Sequence, residues 1–84
     1  MQSTDNQRFT PPHFIDLEAL TLQEERILQL AADDLSNKEI AIKLGVSLPT
    51  IKKHRENIYR KYNIYGKLEV RCFMRRVRKF FRKE

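Results

Sequence analysis

The sequence predicts an all-α domain built from four helices. Apolar residues recur at helical spacing along four stretches between Thr21 and Phe81. Only 2 glycines and 3 prolines interrupt the chain, which leaves room for long helices. Thr21 and Ser36 each stand three residues before a glutamate, Glu24 and Glu39. In a capping box at that spacing, a hydroxyl and a carboxylate each satisfy a free backbone N–H of the first turn.

The elements follow in order. Residues 1–13 are polar and carry Pro11-Pro12, so they read as a flexible N-terminal segment ahead of one domain over 14–84. Phe14 to Leu20 adds a turn of helix over the core. The first full helix starts after Thr21, with Ile27, Leu28, Ala31 and Leu35 on one face. The second starts after Ser36 and buries Ile40, Ala41 and Leu44, while Ile42 points outward. Gly45 suits the left-handed conformation that ends a helix. Ser47 caps the third helix, and Pro49 fits its first turn, where a missing N–H costs nothing. That helix spans about 48–62. Asn63 to Gly66 connect it to a fourth helix over about Lys67 to Phe81. A short helix, a tight glycine turn and a basic helix form a helix-turn-helix, which inserts its second helix into the DNA major groove.

Charge supports a polyanionic partner. The net charge is +6 and is spread unevenly: residues 1–36 hold 7 acids and 2 bases, 37–62 hold 2 and 7, and 63–84 hold 2 and 8. No apolar run suggests a membrane span, and the opening residues lack the apolar stretch of a signal peptide. The single cysteine, Cys72, fits a reducing, cytoplasmic setting. With His13 and His54 far apart, no metal-ligand cluster is visible and no cofactor is expected. Neither a nucleophile–base set nor a phosphate loop appears, so an enzyme is not expected.

The third helix carries the candidate reading surface. Ile51, Ile58 and Tyr62 fall within a narrow stripe that packs inward. The opposite side carries Lys53, Glu56, Asn57 and Arg60, with Lys52 at its flank. These groups can donate to guanine, accept from cytosine or pair with adenine. Thr50 adds a hydroxyl near the helix start, and His54 and Lys61 sit at the boundary, within reach of the DNA backbone. Arg55 falls near the apolar stripe, so its stem should pack while its charge turns outward.

At these residues the chain resembles the helix-turn-helix domain of the LuxR/NarL/FixJ family, which includes the small GerE-like regulators. The matching residues are Leu20-Thr21, Glu24 to Leu28, Ser36 to Ala41, Leu44 to Ser47, Thr50 to Lys52, His54, Asn57-Ile58, Lys61 and Glu69. The resemblance implies a four-helix domain whose third helix enters the major groove and whose fourth mediates dimerisation. It places base contacts at Lys52, Lys53 and Glu56, and backbone contacts near Thr50 and Lys61. Asp34 stands where the family usually has glycine, which strains the end of the first helix. Tyr62-Asn63 replaces the usual Leu-Gly, Glu56 is acidic where several relatives carry a base, and Arg71 is charged where relatives are often apolar.

Val70, Phe73, Met74, Val77, Phe80 and Phe81 give the fourth helix an apolar face broader than one small domain readily buries. Part of it is expected at a two-fold homodimer interface, matching an inverted-repeat site; the competing reading is plain core packing. Cys72 falls among the bases of the other side and is expected to be partly exposed. The leading expectation is sequence-specific binding of double-stranded DNA by a transcriptional regulator or its output domain. Its control comes from expression level, a regulatory domain or a partner protein. The alternative is a protein-interaction or membrane-surface module using the basic amphipathic fourth helix.

Overall fold

A computed structural model describes residues 15–82. The flexible segment expected at 1–13 lies outside the described residues, as does Phe14. A short 3-10 turn, Leu17–Ala19, leads into α1 (Leu22–Ala32), α2 (Asn37–Leu44), α3 (Leu48–Lys61) and α4 (Gly66–Arg82). The described residues form no strand.

Local chemistry sets the helix starts. At α1, the Glu24 N–H donates to Thr21 Oγ1 at 3.1 Å, and the Thr21 N–H donates to Glu24 Oε1 at 3.0 Å. At α2 the same exchange joins Ser36 and Glu39, at 3.1 and 2.7 Å. Both capping boxes are therefore formed, as the spacing predicts. Ser47 caps α3 with Pro49 in its first turn. At α4 the Glu69 carboxylate reaches back to accept the Tyr65 N–H at 2.7 Å.

The helix ends use left-handed residues. Gly45 closes α2 at φ 72° and so turns the chain sharply into α3. Asp34 adopts φ 69° just after α1, the strained conformation expected where an L-residue replaces glycine. Its carboxylate meets Arg78 at 3.1 Å and Arg82 at 3.8 Å, which ties the turn to α4.

Packing fixes the mutual orientation of the helices. Ile27, Leu28, Ala31 and Ala32 of α1 meet Ile40 and Ala41 of α2, Ile51 and Ile58 of α3, and Phe73 and Val77 of α4 in one core. Each fully buried Ile, Leu, Val or Phe among them contributes about 1.5–3 kcal/mol. Leu35 and Leu44 are only partly buried; Leu35 lies beyond the end of α1, so it is a turn residue and not part of the helical stripe. α1 packs against all three other helices, and α2 packs on α3. Ile42 is 73% exposed, on the outward face as expected. The face of α4 is divided: Phe73 and Val77 are buried, whereas Val70, Met74, Phe80 and Phe81 are half-buried at the edge of the core.

Candidate nucleic-acid interface

The inward side of α3 is set by Ile51 and Ile58, both with no exposed surface. Helical geometry then turns Lys52, Lys53, Glu56 and Arg60 to solvent, and all four are exposed. Asn57 is half-buried, and its Oδ1 accepts from Arg60 Nη1 at 2.9 Å. Thr50 lies at the helix start, its hydroxyl 2.8 Å from that of Ser47. These side chains form one open, mainly cationic surface.

Three polar contacts bolt α3 and the residue just after it to their supports. On one flank, Lys61 Nζ lies 2.6 Å from Glu24 Oε1 of α1. Glu24 is 4% exposed. Burial alone would push its carboxyl up. The Lys61 hydrogen bond, the Thr21 N–H and the Lys61 charge, with a smaller electrostatic contribution from His54, outweigh this and hold it below the ordinary value of 4.5. On the other flank, Arg55 donates from Nη1 to Asn37 Oδ1 of α2 at 2.7 Å. Its Nε and Nη2 also donate to Tyr59 Oη, at 3.1 and 2.9 Å. Just beyond the helix, Tyr62 Oη donates to the Asp16 carbonyl at 2.6 Å. Burial, followed by the negative charges of Asp16, Glu24 and Glu25, pushes the Tyr62 phenol up to about 12. Tyr59 and Tyr62 also lean on Phe73, with ring centroids 6.1 and 5.1 Å away, which joins α3 to α4.

The expected site residues therefore separate by role. Thr50, Lys52, Lys53, Glu56, Asn57 and Arg60 come together on or beside one face. His54 does not: its Nδ1 is wholly covered and lacks a hydrogen-bond partner, and its ring adds to the field on Glu24. Lys61 is partly engaged, because one of its donors is held by Glu24. Arg55 differs from its expected snorkelling position. Asn37 and Tyr59 hold its guanidinium in the wall of a depression of about 420 Å³, lined also by Lys52 and Glu56.

Sequence reasoning missed Asn37 and Glu24 as partners of this helix, and Tyr59 as a partner of Arg55 within it. Tyr59 stands four residues after Arg55, so their contact was readable as an i,i+4 pair. Asn37 and Glu24 lie 18 and 37 residues from their partners, and no local pattern announces such contacts.

Comparison with known proteins converges on the same segment. The family model described as "Bacterial regulatory proteins, luxR family" matches residues 18–74. The chain is 45% identical over 51 residues to the response regulatory protein YgeK of Escherichia coli K12, covering 61% of this chain and 35% of that protein. It is 40% identical over 52 residues to a nitrate/nitrite response regulator homologue of Haemophilus influenzae, covering 62% and 25%. It is 36% identical over 64 residues to the helix-turn-helix-type regulator YhjB of Escherichia coli K12, covering 75% and 32%. The chain thus spans about a third or less of the length of these relatives. No solved structure matches it.

Proposed function

The chain belongs to the luxR family of bacterial regulatory proteins, a family of DNA-binding transcription regulators, and on that premise we propose that α3 enters the major groove of double-stranded DNA and reads its sequence. The observation that carries this reading is the outward face of α3. Lys52, Lys53, Glu56 and Arg60 are all exposed on a helix whose other side is locked into the core.

Lys52, Lys53 and Glu56 meet base edges, with Asn57 and Arg60 further along the groove. Thr50 lies beside a backbone phosphate. Lys61 turns its remaining N–H donors to another phosphate, since an ammonium has three and Glu24 takes one. His54 supports the helix beside Glu24. The protein acts in the cytoplasm, and its input comes from a regulatory domain or partner.

Two copies bind an inverted repeat through the apolar face of α4, where Val70, Met74, Phe80 and Phe81 are only half-buried beside Phe73 and Val77. Arg78 and Arg82 of α4 are engaged with Asp34. This weakens a reading of the whole basic face as a membrane surface. No described helix is long and apolar enough to cross a membrane.

A salt titration of duplex binding tests the proposal. Log affinity should fall linearly with log salt, and the slope should drop by about one for each phosphate-contacting lysine removed. Binding that ignores salt, or that depends on anionic lipid and Phe80-Phe81, overturns it.

A further inference from the structure

We propose that Glu56 is a specificity-determining residue that selects cytosine at one position of each half-site, with Lys52 donating to the paired guanine. The inference rests on the major-groove reading above and assigns the base pair that this part of the surface takes.

The first ground is that the Glu56 carboxylate is uncommitted. Lys52 and Arg60 stand four residues to either side of it, where opposite charges on a helix normally meet. Yet among the described residues Glu56 is in no ion pair. Arg60 donates to Asn57 Oδ1 instead. Arg55 is held by Asn37 and Tyr59. Arg55 and Arg60 are thus directed elsewhere, and Glu56 projects as an open acceptor at the rim of the depression it shares with Lys52.

The second ground is electrostatic. A carboxylate on a DNA-facing surface is repelled by the phosphates, and a hydrogen-bond donor on a base edge offsets that repulsion specifically. Two bases present a donor in the major groove: cytosine through N4 and adenine through N6. Adenine also places its N7 acceptor beside N6, where it repels a carboxylate. Cytosine has no acceptor on that edge. Its partner guanine presents N7 and O6, both acceptors, which suit the Lys52 ammonium. A donor beside an acceptor on the protein therefore matches a G·C pair in one orientation, opposes the reversed pair, and suits A·T less well because the adenine N7 acceptor stands beside the carboxylate.

The test is selection of bound duplexes from a library with randomised half-sites, run on the wild type and on Glu56→Gln and Glu56→Ala. The wild type should enrich cytosine at one position. Glu56→Gln should move that preference to adenine, which glutamine pairs through N6 and N7. Glu56→Ala should flatten it. In the selected site, a cytosine analogue lacking the 4-amino group should cost the wild type about tenfold in affinity and Glu56→Ala almost nothing. Identical base preferences in all three proteins overturn this inference while leaving the DNA-binding reading intact. A wild type that enriches no sequence overturns the underlying reading itself. Glu56 is exposed, so neither substitution threatens the fold.

Discussion

The Lys61 ammonium sits 2.6 Å from the Glu24 carboxylate, across 37 residues of sequence, and so fixes the end of α3 to the start of α1. Glu24 also closes the capping box of α1. One buried carboxylate therefore starts the first helix and orients the third.

Removing the cation should expose the cost of that arrangement. Lys61→Met leaves a buried carboxylate with one partner fewer and should destabilise the fold by about 1–3 kcal/mol near neutral pH. Pairing it with Glu24→Gln should recover part of that loss, as a double-mutant cycle would show. The pH dependence has a definite sign. Glu24 titrates below its ordinary 4.5, so its stabilisation is present above that pH and fades as pH falls through the lowered folded value. Thermal melts from neutral to acid should show a shallower acid limb for Glu24→Gln than for the wild type.

Tyr62 governs the alkaline side. Its phenol is pushed from 10.0 to about 12. A raised value means the contribution is complete below pH 10 and is lost as pH climbs toward 12. Ultraviolet titration should show one late-ionising tyrosine, absent in Tyr62→Phe. The same variant loses the hydrogen bond to the Asp16 carbonyl and should cost about 0.5–1.5 kcal/mol at neutral pH.

Gly45 isolates a backbone effect. A Cβ built there meets nothing within 4 Å, yet φ is +72°. Gly45→Ala should therefore destabilise by about 1 kcal/mol through conformation alone, and Gly45→Asn by less. Equal melting temperatures for all three proteins would contradict this account of the turn.

Much of this design was legible in the sequence, and the reasons are local. Thr21–Glu24 and Ser36–Glu39 announce their helices because a capping box is a contact between residues three apart. Gly45 marks the turn because few residues adopt its φ. Lys52, Lys53, Glu56 and Arg60 were found because Ile51 and Ile58 fix which side of α3 faces inward. What escaped was non-local. The fixing of Arg55 by Asn37 depends on how α2 lies across α3, and the engagement of Lys61 depends on where α1 places Glu24. Helical angle alone put His54 and Lys61 near the DNA face; the packing of α1 turns them toward Glu24.

Self-association should depend on the half-buried apolar edge of α4. Met74→Glu places a charge among those side chains, so dimer formation should weaken by more than any fall in melting temperature explains. Sedimentation at micromolar concentration, with and without duplex, reads both. A wild type that stays monomeric in both conditions removes the dimer from the proposal.

The central claim is that the outward face of α3 reads DNA, and fluorescence anisotropy of a labelled duplex bearing the selected site tests it most directly. A Lys53→Ala/Arg60→Ala variant should retain the wild-type melting temperature, because both side chains are exposed, yet bind that duplex at least about tenfold more weakly. Equal affinity of the folded variant and the wild type would contradict the claim.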